Sequence, residues 1–266
     1  MTDLMFDTPG SGPCTREIVE GVPVPPETRS YRPIPNKEFL LMVEQVAQDC
    51  SLEVDTENAN FGLAGKGQRM FGTYPLVGQN HFGDQVSLML GVRNSYDKFL
   101  SAGVCFGSKV FVCSNLVFTG YASEDNSIVG RTSHRHTVNV LDGLHTRLVN
   151  ALSKFEAYKV FQENFYGRLT ETFLSEDEAY ATIVRAVLAD AIPNREIVHV
   201  ANNWNFQEDE PIEENPNWHK EFQPRTAWSL FNCFTENAKE FQKKNPVNAN
   251  ARSIELTRFF NDTFNN

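Results

Sequence analysis

Residues 86–118 read VSLMLGVRNSYDKFLSAGVCFGSKVFVCSNLVF, and this stretch decides the fold. Val86, Leu88 and Leu90 recur every second residue, the period of a strand that turns alternate side chains to one face. Two further β-prone runs, 104–106 and 110–113, flank Gly107-Ser108. Glycine reaches the positive φ that a tight hairpin needs at its first central position, so the spacing predicts a turn there. The stretch as a whole predicts antiparallel hairpins.

The same period extends upstream. Leu52 and Val54 alternate, then Phe61 and Leu63, and Gly65-Lys66-Gly67 separates that run from residues 70–74, as in a hairpin. Before the sheet, Asn36 is placed to cap a helix whose Phe39, Leu40, Val43, Val46 and Ala47 share one face, ending near Cys50. Residues 1–35 show no apolar periodicity and carry Pro9, Pro13, Pro23, Pro25, Pro26, Pro33 and Pro35. Proline lacks the donor that helices and central strands need, so this segment reads as an extended arm, packed on its own domain or exchanged with another subunit.

Downstream the period changes to that of a helix. Leu141, Leu144, Leu148, Ala151, Phe155 and Tyr158 step by three and four, a long stripe for packing across a sheet, with Thr137 as its expected start. Ser175 with Glu178 forms a capping box, and Tyr180, Ile183, Val184, Val187, Leu188 and Ala191 make a broad apolar face that Pro193 ends. A shorter helix is expected over 194–205, and two amphipathic helices over 226–241 and 251–264 carry Trp228, Phe231, Phe234, Phe241, Phe259 and Phe260. The order of arm, helix, sheet and helices predicts an α+β fold: a central antiparallel sheet of hairpins packed by a long helix, with a helical C-terminal part. Its divisions are a proline-rich arm (1–35), an α+β core (36–206), an acidic loop (207–225) and C-terminal helices packed on the core (226–266).

At 266 residues, one elaborated domain can hold a large core, and a 41% hydrophobic fraction with 21 phenylalanines excludes disorder of the whole chain. No apolar run approaches the roughly 18 residues of a membrane span, and the first ten residues have no signal-peptide pattern, so a cytoplasmic protein with no membrane partner is expected. Five cysteines, at Cys14, Cys50, Cys105, Cys113 and Cys233, form no C-x-x-C pair and fit reduced thiols rather than a disulfide framework or structural zinc. The net charge of -10 opposes indiscriminate attraction to nucleic acid. A local basic face still acts on its own, because the screening length is about 8 Å at physiological salt.

Two polar stretches are candidate sites. In residues 91–98, GVRNSYDK, the side chains of Arg93, Asn94, Ser95 and Lys98 offer donors for phosphate, and Tyr96 offers a ring for stacking. The plainer reading is a polar hairpin in which Asn94, Ser95 and Asp97 satisfy their own backbone. Residues 130–137, GRTSHRHT, are the most basic short stretch, and Arg131, His134, Arg135 and His136 stand where an anion can meet a helix N-terminus. On a strand His134 and His136 would share a face, but two ligands do not make a metal site, and no metal or cofactor is expected. Lys109 and Phe111 on the predicted strands complete the nucleic-acid candidates. Glu208, Asp209, Glu210, Glu213 and Glu214, with Trp218, form a solvated loop or a docking surface for a basic partner. Motifs of dinucleotide and phosphate-loop sites, zinc proteases and serine hydrolases do not occur. Gly62 to Gly67 with Lys66 fits a hairpin turn better than a phosphate loop, since strand follows it.

The run Arg93-Asn94-Ser95-Tyr96-Asp97, the run 107–116 (GSKVFVCSNL), Arg135-His136-Thr137 and later Thr226-Ala227-Trp228 with Asn232, Thr235 and Glu236 resemble the domain-of-unknown-function family numbered 932. The resemblance spans roughly residues 76–240 and implies a setting in phages, prophages and conjugative plasmids, without implying a reaction. The order of hairpins and crossing helix is also similar to that of single-strand-annealing recombinases, an analogy of architecture. Three functions follow as expectations. The first is a non-enzymatic, homo-oligomeric protein that binds single-stranded nucleic acid in DNA metabolism or annealing. The alternative is an anti-defence or host-takeover inhibitor that binds a host protein. An enzyme, such as a metal-dependent nuclease built on His134 and His136, comes third.

Overall fold

The computed structural model describes residues 12–81, 86–110, 115–117, 121–122, 128–129, 131–137, 140–205, 225–244 and 246–264. The arm opens with strand β1 (Gly12–Cys14) and helix α1 (Arg16–Glu20), and helix α2 (Asn36–Asp49) follows. The sheet strands are β2 (Asn60–Ala64), β3 (Arg69–His81), β4 (Val86–Ser95), β5 (Ala102–Val110), β6 (Asn115–Val117) and β9 (Arg131–His134), with β7 (Tyr121–Ala122) and β8 (Ile128–Val129) pairing separately. Helices α3 (Val140–Leu152), α4 (Phe155–Glu171), α5 (Glu176–Leu188), α6 (Ile197–Asn205), α7 (Ala227–Lys244) and α8 (Pro246–Phe264) complete the chain. The fold is α+β, as the sequence predicts.

The described residues form one seven-stranded antiparallel sheet in the order β1-β2-β3-β4-β5-β6, with β9 beside β6 on the outer edge of β5. There β9 pairs with Ala102 to Cys105 and β6 with Ser108 to Val110. The β2–β3 turn contains Gly65, Lys66 and Gly67, all at positive φ, as its glycines require. One face of the sheet packs on α2 and α3. Phe61, Met70, Tyr74, Leu88, Leu90, Val92, Val104 and Phe106 meet Phe39, Val43, Leu144 and Leu148 in one apolar cluster. Gly72 lies beneath this cluster, where a Cβ would stand 2.6 Å from the Phe61 ring, so only glycine fits. A second cluster joins α4 to α8 around Phe165, Trp204, Phe231 and Phe260. The hydroxyls of Ser108 and Tyr166 bond between sheet and helices, and burial holds the Tyr166 phenol well above its usual range.

Several expectations are corrected. Gly107-Ser108 is no turn: Gly107 pairs with Met89 and Ser108 with Leu88 inside an unbroken β4–β5 register. The reversal lies at 96–101, where Lys98 takes φ 63°. The long helix breaks at Ser153 and Lys154, which lets Phe155 and Tyr158 both pack on Phe106, with ring centroids 5.2 and 5.3 Å away. It begins at Val140, so Thr137 is not its start. Pro35, not Asn36, is the N-cap of α2. The arm is not extended throughout, because Arg16–Glu20 is helical, and Val19 and Ile34 are fully buried in the core. On α5, Val184 and Leu188 are 49% and 79% exposed, so the apolar face is narrower than the sequence implies.

Candidate functional site

The candidate site is built at the end of the sheet where β4 turns into β5. Ser95 closes the loop by bonding both the amide and the carbonyl of Leu100 through its hydroxyl, at 2.9 Å each. Asp97 accepts the Phe99 amide at 3.0 Å, a short Asx turn, and the Arg69 Nε at 2.6 Å. The Arg69 guanidinium then lies 3.6 Å from the centroid of the Phe99 ring. Phe99 is 59% exposed, so this loop holds an aromatic ring rigidly in water with an arginine stacked on one face. Lys98, in the left-handed region, sits with its ammonium 4.6 Å over the ring of Tyr31.

Beneath the loop lies a buried polar network. Asn94 donates to the carbonyl of Ile34 and to Asn36 Oδ1, both at 2.8 Å. The Tyr96 hydroxyl accepts the Asn36 amide at 2.8 Å, which satisfies a first-turn donor of α2. The Tyr31 hydroxyl donates to the Tyr96 carbonyl at 3.0 Å. Burial, then the nearby Tyr96 and Asp97 charges, pushes the Tyr31 phenol up to about 12, and burial also raises Tyr96. His136 is buried with its ring 5.6 Å from Tyr31, which brings the 130–137 stretch to the same end of the sheet as the 91–98 stretch. Arg135 and Thr137 beside it are exposed.

The register sorts the candidates further. Directly paired residues and residues two apart share a face. Met70, Leu90 and Phe106 belong to the helix-covered face, and so do positions 94 and 134, the latter opposite Ala102. Positions 69, 93, 109 and 131 fall on the other face: Arg93 opposite Phe71, Lys109 opposite Ser87, Arg131 opposite Cys105. Arg69 and Arg93, on neighbouring strands, therefore share a face with Phe71, Thr73, Met89 and Cys105, which are buried, so this face opens to solvent only towards the β4–β5 loop. Arg93 is half-buried on this face.

Asn94, Ser95 and Tyr96 are buried and bonded within the chain, at 0%, 1% and 5% exposure, so their polar atoms build the site rather than face a ligand. His134 ends β9 and His136 lies past it, so the two do not share a strand. Among the described residues no three His, Cys, Asp or Glu gather to hold a metal. Phe111 and the proposed docking residues Glu208, Asp209, Glu210, Glu213, Glu214 and Trp218 lie outside the described residues, as does Cys113. Sequence reasoning missed Arg69, Phe99 and Tyr31. For Phe99 a signal existed, since an aromatic two residues after an aspartate in a loop sits on an Asx turn and is carried outward.

The described residues form an α+β fold, a seven-stranded antiparallel sheet with helices packed on one face. A family model described as Domain of unknown function (DUF932) matches residues 27–259, and the chain belongs to that family. The chain matches no curated protein and no solved structure. No helix among the described residues is long and apolar enough to cross a membrane.

Proposed function

We propose that the chain binds single-stranded nucleic acid at the end of the sheet where β4 turns into β5, in the DNA metabolism or strand annealing of a phage or plasmid, the setting the family resemblance implies. The observation that carries this reading is the exposed Phe99 ring with the Arg69 guanidinium on it and Arg93 on the next strand. Cations beside such a ring neutralise phosphate, and the ring gives a base a surface to stack on. Lys98 and Arg135 extend the positive rim at the same end. A net charge of -10 restricts binding to this local site and makes it sensitive to salt.

The test is a titration of fluorescently labelled single-stranded DNA with the full chain and with Phe99→Ala. Phe99 is largely in water, so the substitution should leave the fold intact while weakening binding by about 1–3 kcal/mol, the usual worth of one stacked base. Equal affinity of the two proteins would remove Phe99 from the site, and absence of binding at low salt would overturn the reading.

A further inference from the structure

We infer that residues 12–20 are an exchangeable strap, seated in solution on a second copy of this chain. The strap is a separate unit of contact. Its strand β1 covers the outer edge of β2, with Gly12 opposite Leu63, Pro13 opposite Gly62 and Cys14 opposite Phe61. Its helix α1 buries Val19 in the main cluster and sends Arg16 to Glu44 of α2 through two bonds, at 2.6 and 3.1 Å. Glu44 is held in turn by the hydroxyl of the buried Tyr74 at 2.8 Å. The Asn36 side-chain amide also donates to the Val19 carbonyl at 3.1 Å, and all of these partners lie in residues 36–74, beyond the connector that follows the strap. The strap of another copy would make the same contacts.

The connector, 21–30, reads GVPVPPETRS. Only Val22 and Pro25 in it are half-buried, and the rest is exposed. Three prolines bias it to an extended form of about 3.1 Å per residue, so ten residues reach roughly 30 Å when straight. What folds it back is one tight turn, in which Thr28 and Tyr31 exchange two backbone bonds of 2.9 and 3.3 Å. Opening that turn frees the strap to cross to a neighbour while the second anchor, Tyr31 with Ile34, stays in its own core. Exchange preserves the closed contacts, so the difference between the two forms rests on the hinge and on whatever new surface the copies share. Ile18 and Val24 on the arm and Leu41 on α2, against which α1 packs, are 54%, 44% and 49% exposed, which leaves apolar surface for that shared interface beside the strap. A bare β2 edge is a further reason for the strap to stay paired, in one copy or the other.

The experiment uses the full chain in a Cys14→Ser background. One protein carries Gly12→Cys and a second carries Leu63→Cys, and the two are mixed, incubated and oxidised. Facing residues of an antiparallel pair stand about 4.5–5.5 Å apart at Cα, within disulfide range. The unmodified chain is weighed by light scattering in parallel. The expected result is an oligomer of the unmodified chain and a covalent heterodimer of the mixed variants on a denaturing gel, absent from the Cys14→Ser control. A monomeric mass, or an oligomer whose mixed variants stay uncrosslinked, would overturn the inference. Neither outcome depends on nucleic acid, so this test and that of the binding site fail separately.

Discussion

Tyr96 shows how the site is tied to the fold one atom at a time. Its hydroxyl accepts the amide of Asn36 at the start of α2, and Asn36 is 3% exposed, so no water replaces that acceptor. Tyr96→Phe should therefore destabilise the chain by about 1–3 kcal/mol, the cost of a buried donor left unmet, as read by chemical denaturation. A change of a few tenths would mean that the amide finds another partner. The sequence made the local half of this network legible. Ser95 and Asp97 are short polar residues beside a reversal and bond within five residues of themselves. Asn94 was not legible in the same way, because its partners Ile34 and Asn36 lie 60 and 58 residues away, and no local pattern encodes such a pair. Phe99 escaped notice for a related reason. Beside Leu100 a phenylalanine reads as core, and the Asx turn at Asp97 and the Arg69 stack carry it outward.

Among the elements, those with local chemistry at their ends were the most legible. The Ser175–Glu178 capping box is formed, with Ser175 Oγ accepting the Glu178 amide and the Glu178 carboxylate accepting the Ser175 amide at 2.8 Å. Ser175→Ala should cost about 1 kcal/mol in a denaturation series, while a neutral result would place the stability of α5 wholly in its packed face. That face is narrower than the apolar pattern, since Val184 and Leu188 stay in water while Ile183 and Ala186 are buried. Periodicity marks apolar positions but not which of them a neighbour covers. Gly107-Ser108 misled by composition: a glycine beside a serine has the chemistry of a turn, yet continuous pairing of β5 with β4, and of Ser108 with Val117 of β6 on the other edge, keeps the strand extended through it. Where a strand is held on both edges, tertiary pairing overrides turn propensity.

The whole molecule brings segments far apart in the chain to one end of its sheet. Order along the chain was enough to predict α+β architecture, because a run of period-two segments followed by a run of helices leaves few other ways to bury both. The meeting of Arg69 with Asp97 and Phe99 was not foreseeable, since it takes the pairing of β3 with β4 to set Arg69 opposite Ser95 at the loop. Acidic residues outnumber basic ones by 34 to 24, so attraction to a polyanion has to come from a local basic site and has to weaken as salt screens it. The most direct measurement is the salt dependence of single-stranded DNA binding by the full chain beside Arg93→Gln and Arg135→Gln. Each phosphate contact contributes a slope of about -0.7 in log affinity against log salt, so each substitution should weaken binding and flatten the slope by about that amount. Binding that ignores salt, or slopes unchanged in both variants, would contradict a phosphate-binding site at this end of the sheet.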